Sequence, residues 1–156
     1  MKFKILLMIA AAVFVQKANA LDLSLPIDIS SQSLEVSQED FYASFTGNVK
    51  VQHGEVFLGA EKLDVYYAED GKEDIKEVIA TDKVVIVHGK STATGDKAVY
   101  SPRVGNVLMT GNVVLTRAGS VLTGEKLVYN LETGHMALEN SKPKGRVKAT
   151  FSLKGK

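Results

Sequence analysis

The chain contains no cysteine and no tryptophan, and only three of its 156 residues are prolines. Without cysteine, no disulfide can stabilise the fold and no thiolate is available as a nucleophile or metal ligand. A strong charge of one sign is also missing, since 19 basic residues face 18 acidic ones. This balance argues against a nucleic-acid-binding protein, which needs a broad basic face.

Only one stretch is continuously apolar, and it comes at the start of the chain, at residues 5–15. Two lysines precede it and Ala18-Asn19-Ala20 follows it, which is the pattern of a secretory signal peptide. The stretch is shorter than the roughly 20 residues that a bilayer-spanning helix needs. We therefore expect residues 1–20 to be a signal peptide cleaved after Ala20, and residues 21–156 to form one exported domain.

An internal repeat organises the remaining chain. Ala60-Glu61-Lys62, Gly95-Asp96-Lys97 and Gly124-Glu125-Lys126 recur after 35 and then 29 residues, each in a similar sequence context. Each unit is too short to close a core by itself, so the units must stack and share one interior.

Apolar residues alternate with polar ones along most of the exported part, and short turn sequences such as His88-Gly89 separate the runs. This period of two predicts strands with one buried face, and no window after residue 20 favours a helix. We therefore predict an all-β fold. A packed core and an open groove would show the same pattern, so the alternation does not choose between them. The side chains predicted to point inward are Ile27, Ile29, Leu34, Val36, Phe45, Val49, Val51, Leu63, Val65, Val84, Ile86, Tyr100, Met109, Val113, Leu115, Leu127 and Tyr129.

Sequence signals of enzyme active sites are missing or incomplete. Gly89-Lys90-Ser91 ends like a phosphate-binding loop, but Val84 stands where the first glycine is required and no helix is expected to follow. His53 and His88 occupy equivalent positions beside turn glycines, which suits a turn better than converging metal ligands. We expect no enzyme activity, no cofactor and no metal site.

Five segments carry motifs in a recognisable order, at residues 45–51, 60–63, 94–100, 108–115 and 122–129. They resemble the OstA/LptA family of periplasmic lipopolysaccharide-transport proteins, and the resemblance extends from about residue 26 to residue 151. It implies a single-domain β-jelly roll of repeated antiparallel strands, open at both ends. Its apolar interior would shelter the acyl chains of lipopolysaccharide on the way from the inner to the outer membrane. The inward residues named above would then line a lipid-binding groove.

The resemblance also implies protein partners at the two edges of the sheet. An LptC-like inner-membrane protein would pair with the amino-terminal segment, an LptD-like outer-membrane protein with the carboxy-terminal one, and copies of the chain would join head to tail. Carried over by position, the edge residues are Pro26, Ile27, Asp28 and Ile29 at one end and Arg146, Val147, Lys148, Ala149, Thr150 and Phe151 at the other.

The last sixteen residues, 141–156, contain six basic residues and no acid. Such charge either protects an edge strand from aggregation or steers a phosphorylated lipid or an acidic partner towards it. Two other functions remain open. One is a structural or adhesive envelope protein with a filled core and no lipid, and the other is an LptC-like family member that retains its membrane anchor.

Overall fold

The computed structural model describes residues 28–69, 75–101, 104–130, 133, 135–140 and 144–151, apart from the side chain of His53. These residues form ten β-strands and no helix, which confirms the all-β prediction. The described part of the chain accordingly has no helix of the length and apolarity that a membrane span requires. The expected signal peptide, Pro26 and Ile27 lie outside the described residues.

The strands are β1 (Asp28–Ser30), β2 (Ser33–Ser37), β3 (Tyr42–His53), β4 (Val56–Tyr67), β5 (Ile75–His88), β6 (Ser91–Ser101), β7 (Asn106–Arg117), β8 (Ser120–Asn130), β9 (Met136–Glu139) and β10 (Lys148–Thr150).

All ten strands belong to one antiparallel sheet. Strands β3 to β8 follow one another in sequence and in space, and each is 11 to 14 residues long. Two short strands share each end of this array. At the first end β1 and β2 both pair with β3, and at the other β9 and β10 both pair with β8.

Two-residue turns connect three of the hairpins, as the turn sequences predict. Gly54 and Gly89 open two of these turns with φ of 54° and 57°, and Ala118-Gly119 forms the third with φ of 47° and 82°. Positive φ at these positions matches the right-handed twist of the flanking strands, which explains why glycine recurs there.

The repeated motif marks a line at which the pairing of the long strands is interrupted. There β3, β5 and β7 each contain two consecutive residues with positive φ, at Gly47-Asn48, Asp82-Lys83 and Gly111-Asn112. One residue of a neighbouring strand lies opposite each pair. We call this row the bulge line, and its opposing residues are Glu61, Asp96 and Glu125.

The acidic residues of the motif stabilise the bulge line. The Nδ2 of Asn112 donates a hydrogen bond to the Oδ2 of Asp96 at 3.0 Å, and its backbone N–H donates to the Oε2 of Glu125 at 3.5 Å. In the preceding copy, the Nζ of Lys83 lies 4.0 Å from the Oε1 of Glu61. The repeated acids therefore have a structural role in these contacts, as their repetition suggests.

One face of the sheet is buried, although the described residues include no helix and no second sheet to cover it. Leu63, Ile86, Tyr100 and Met109 on this face are all 0% exposed. Among the described residues, only another part of the same sheet can exclude water from them. The sheet therefore folds onto itself about the bulge line, and its two halves share one core.

Candidate functional site

The inward face of the middle strands forms the centre of the candidate site. Most of the residues that the alternation predicts to point inward are buried in one hydrophobic cluster. Their side chains pack against one another, so the interior of the middle strands is filled by the protein itself. The predicted residues in this cluster are Phe45, Val49, Val51, Leu63, Val65, Val84, Ile86, Tyr100, Met109, Val113, Leu115, Leu127 and Tyr129.

Two predicted inward residues differ from these in their burial. Leu34 pairs with Phe45, and Val36 pairs with Ala43, so β2 presents them on the inward side of the sheet. They are nevertheless 56% and 61% exposed, because β2 is the last strand on its side and no other strand of the described residues covers it. Their direction agrees with the alternation, whereas their exposure sets them apart from the other inward residues. Ile29 is intermediate, being partly buried against the core.

Other inward residues escaped the sequence reasoning, some of them because the alternation shifts by one residue in β4, β6 and β8. In β4 the buried positions are Val56, Leu58 and Ala60 before Glu61, and then Leu63 and Val65 after it. The shift occurs at the single residue that lies opposite each bulge. Assigning the inward positions separately before and after that residue would have identified the missed side chains. The further buried residues are Ala43, Ile75, Val78, Ala80, Ala93, Ala98 and Val107, several of them alanines that carry little hydrophobic signal.

Both ends of the inward face are open. At the carboxyl-terminal end, Met136 of β9 pairs with Tyr129, and Ala149 of β10 pairs with Leu122, so their strands continue the inward face. Met136, Val147 and Phe151 are 40%, 42% and 65% exposed. Within the described residues the apolar face thus runs the length of the sheet and is uncovered at its extremities.

The predicted edge residues lie at these same extremities. Asp28 and Ile29 pair with Gln52 and Val51 of β3, and the segment Lys148–Thr150 pairs with β8. Each strand therefore uses one side for the sheet, and no further strand of the described residues follows on its other side. Unpaired N–H and C=O groups on such a side can accept an added strand. Arg146, Val147 and Phe151 flank β10, whereas Pro26 and Ile27 lie outside the described residues.

The two ends carry opposite charge. Residues 28–40 contain four acids, Asp28, Glu35, Glu39 and Asp40, and no lysine or arginine. Residues 144–151 contain Lys144, Arg146 and Lys148 and no acid. The first end, β1 and β2, is therefore framed by negative charge, whereas at the other end positive charge frames the segment around β10 and β9 carries Glu139.

Tyrosines contribute the polar groups of the inward face. Burial raises the pKa of Tyr100 from its ordinary value of 10 to about 12, and burial also raises the pKa of Tyr129. Both hydroxyls are uncharged at neutral pH, as tyrosine hydroxyls are even without such a shift. On β3, a hydrogen bond to Glu35 raises the pKa of Tyr42, whose hydroxyl lies 2.7 Å from the Oε1 of Glu35.

Clustered metal ligands are absent from the described residues, where no group of three or more histidines and acids could hold a metal ion. The chemistry of the site is therefore that of an apolar surface with open ends and charged borders. Such a surface can bind an apolar ligand or a protein strand.

Known proteins share this architecture and sequence. Residues 28–135 match the model of a family described as LptA/(LptD N-terminal domain) LPS transport protein. An uncharacterized protein of Rhizobium meliloti (strain 1021) is 35% identical over 80 residues, which are 47% of this chain and 43% of the relative, so the chain spans less than half of that relative's length. The crystal structure of LptH from Pseudomonas aeruginosa, the LptA-homologous periplasmic component of a lipopolysaccharide transport device, superposes with a TM-score of 0.70 at 17% identity. That match covers 86% of this chain and 100% of LptH, and it shows the same fold.

Proposed function

Because the chain belongs to the LptA/LptD N-terminal domain family of lipopolysaccharide transport proteins, we propose that it is an LptA-type bridge protein. In this role it carries lipopolysaccharide through the periplasm of a Gram-negative cell, from the inner to the outer membrane. The inward face binds the acyl chains, while the sugars of the lipid remain in water. The protein is a carrier and not an enzyme, and it uses no cofactor.

The observation that carries this proposal is the inward face, which in the described residues stays apolar from Leu34 of β2 to Phe151 beyond β10 and is uncovered at both ends. Each methylene removed from water contributes about 0.8 kcal/mol. An acyl chain with about ten buried methylenes would gain on the order of 8 kcal/mol at such a surface. The open ends are therefore important. A lipid bound this strongly leaves the protein only if the apolar surface of the next protein is continuous with this inward face.

Side chains fill the middle of the interior, so acyl chains have to replace contacts between the two halves of the sheet. In this proposal the halves stay joined through the bulge line and separate on the opposite side. Lipid contacts then substitute for side-chain contacts of similar apolar character, which keeps the free-energy cost of opening low. Ile29, Leu34 and the other predicted groove residues line this path.

Partners join the bridge by adding strands at its two ends. An LptC-like inner-membrane protein pairs with the β1 and β2 end, an LptD-like outer-membrane protein pairs with the β9 and β10 end, and copies of the chain join head to tail. Opposite charges at the two ends support this polarity, because the acidic end of one copy attracts the basic end of the next.

The proposed location is the periplasm. Residues 1–20 act as a signal peptide removed after Ala20, and residues 21–156 form the transported domain. Finding Leu21 at the amino terminus of the protein purified from cells would support this. An uncleaved amino terminus would instead favour the LptC-like alternative, in which the apolar segment remains as an anchor.

Site-specific photocrosslinking tests the lipid-binding role. A photoreactive residue placed at Val51 or Leu115, both buried on the inward face, should crosslink to lipopolysaccharide in cells. The matched controls are Lys50 and Val114, the preceding neighbours in the same strands, which point to the other face and should give no crosslink. Equal yields on both faces, or none at any inward position, would contradict the proposal.

A structural or adhesive envelope protein is the second candidate, and the filled interior of the middle strands favours it. In that case the interior would stay closed at all times. Amide hydrogen exchange separates the two functions, since lipopolysaccharide should change the exchange of the middle strands β5 and β6 in a lipid carrier and leave it unchanged in a structural protein.

A further inference from the structure

The inward face changes from apolar to polar at one of its margins. This margin lies at the two-residue turns, where the last inward positions of β5, β6, β7 and β8 are His88, Ser91, Arg117 and Ser120. The pairing of the strands places the four residues in one row, because Ser91 lies opposite both His88 and Arg117, and Ser120 lies opposite Arg117. We call this row the polar rim.

The polar rim directly adjoins the buried apolar cluster. His88 follows the buried Ile86 by two positions in β5, and Arg117 follows the buried Leu115 by two positions in β7. Side chains two positions apart in a strand point to the same face of the sheet. The polar rim is therefore the next row of the inward face, between the hydrophobic cluster and the turns.

The opposite margin of the inward face is apolar to its last row. There the outermost inward positions of β5, β6 and β7 are Ile75, Tyr100 and Val107, and all three are buried. An amphiphilic ligand on these strands thus meets apolar side chains at one margin and hydrogen-bond donors at the other. This asymmetry favours one orientation of such a ligand.

The polar rim offers several donors to one anion. Ser91 is short and 5% exposed, and it lies between the longer side chains of His88 and Arg117. Opposing residues of neighbouring strands have Cβ atoms about 5 Å apart, so both long side chains can reach an anion above Ser91. The guanidinium is always charged, and an imidazole has an N–H donor in both of its protonation states. Such a set of donors is suited to the oxygens of a phosphate.

The charge around the polar rim also favours an anion. The three turn regions at this margin, residues 52–56, 87–92 and 116–121, contain Lys90 and Arg117 but only one acid, Glu55. Lys90 is exposed and directly precedes Ser91. A phosphate at the polar rim therefore meets an excess of positive charge.

We propose that the polar rim binds a phosphate group on the saccharide headgroup of the transported lipid, an inference that rests on the proposed function. Lipopolysaccharide carries phosphate on its glucosamine units, next to the acyl chains. Acyl chains on Ile86 and Leu115 would place such a phosphate in the next row, at His88 and Arg117. Arg117 is the last residue of β7, on the side away from the bulge line at Asn112, where the sugars extend into water.

Binding of a soluble probe to the full exported chain tests the phosphate site. Glucosamine 1-phosphate should bind and shift the amide resonances of Ser91 and Arg117, whereas glucosamine should not bind. Arg117→Gln should weaken binding about fivefold, because it removes a charge-assisted hydrogen bond at an exposed site. Arg117→Lys keeps the charge and should weaken binding by no more than about twofold. His88→Phe keeps a ring without its N–H donor and should weaken binding about threefold.

Lys97→Gln is the matched control, because Lys97 is an exposed cation of β6 that points to the outward face, next to the buried Ala98. This variant should bind the probe like the wild type. An equal loss in Lys97→Gln and Arg117→Gln would reduce the effect to net charge and overturn the proposal. Absence of probe binding to the wild type would overturn it as well. Inorganic phosphate that binds as tightly as the sugar phosphate would overturn the assignment to a headgroup and leave a site for free phosphate.

Crosslinking separates failure of this inference from failure of the proposed function. With a photoreactive residue at Val51 on the inward face, Arg117→Gln should lower the crosslink yield from native lipopolysaccharide and leave the yield from dephosphorylated lipopolysaccharide unchanged. Equal yields from the two lipids in the protein with Arg117 would contradict the phosphate site and leave the carrier function standing. Absence of any crosslink, together with intact binding of glucosamine 1-phosphate, would contradict the carrier function and leave the phosphate site.

Discussion

The middle of the sheet and its two ends carry the same kind of inward side chain but expose it to very different degrees. Leu63 in β4 is 0% exposed, and Leu34 in β2 is 56% exposed, although both lie on the inward face beside Phe45. The two leucines differ in exposure because β4 lies within the array and has a strand on each side, whereas β2 lies at the end of the array. Side-chain direction and burial are thus separate properties in this protein.

This comparison shows what the ends are suited for. A monomeric protein that leaves several large apolar side chains exposed next to unpaired strand edges risks aggregation. Here the first end combines those features with negative charge, and the segment around β10 at the last end combines them with positive charge. The combination favours a specific partner over random association, because like ends repel one another and unlike ends attract.

The largest expected effect contrasts the two leucines directly. Leu63→Ala should lower the free energy of unfolding by about 2 to 5 kcal/mol, since it opens a cavity in a filled core. Leu34→Ala should lower it by less than about 1 kcal/mol, because the side chain is already half in water. Urea denaturation of both variants measures the contrast, and equal losses would mean that the end of the sheet is covered in solution.

The next effect concerns the bulge line in the middle of the sheet. Gly111 has φ of +80°, and a Cβ at this position would collide with the side chain of Asp96. Gly111→Ala should therefore cost about 1 to 3 kcal/mol of stability through backbone strain and the displaced carboxylate. Gly89, in a hairpin turn, has φ of +57°, and a Cβ added there would meet no heavy atom within 4 Å. Gly89→Ala should therefore lower stability only through backbone strain, by about 1 kcal/mol. Thermal melts of the two variants test this order.

A smaller effect appears at alkaline pH. Burial raises the pKa of Tyr100 to about 12, so the unfolded chain gives up this proton first as the pH rises above 10. The stabilisation that comes from the buried, uncharged Tyr100 is therefore complete below pH 10. As the pH rises towards 12, the free energy of unfolding falls by about 1 to 2 kcal/mol. Tyr100→Phe should flatten this part of the pH profile in denaturation experiments, whereas the control Tyr66→Phe, on the exposed face, should not. An unchanged slope in Tyr100→Phe would mean that water reaches the middle of the interior.

The smallest effect tests the difference in charge between the ends. Glu39→Lys reverses a charge at the acidic end and should weaken head-to-tail association of copies by about twofold to threefold, because exposed charge pairs contribute little. Glu77→Lys, in β5 in the middle of the sheet, makes the same charge change away from the ends and is the control. Sedimentation velocity measures both, and high ionic strength should remove the difference between them. An effect that persists at high salt would contradict electrostatic steering.

Sequence patterns predicted the strands and most of the inward residues of the odd-numbered long strands, such as Val49, Val84 and Val113. The same patterns missed Val56 and Leu58, because a one-residue bulge shifts the alternation within β4. A cleft that Asn112, Glu125 and Arg146 line was beyond reach as well, since a run of basic residues does not show which distant side chains it lies beside.

The amino-acid sequence by itself determined the all-β class, the repeat, the turns and the direction of most apolar side chains, because each depends on local period and on backbone preferences of a few neighbouring residues. Only the tertiary structure decided which of those side chains are covered. Burial depends on how the sheet folds about the bulge line and on where its strand order stops, and both are set by pairing between residues far apart in the chain. The exposed ends and the cleft between β7, β8 and the segment leading into β10 are products of that long-range pairing.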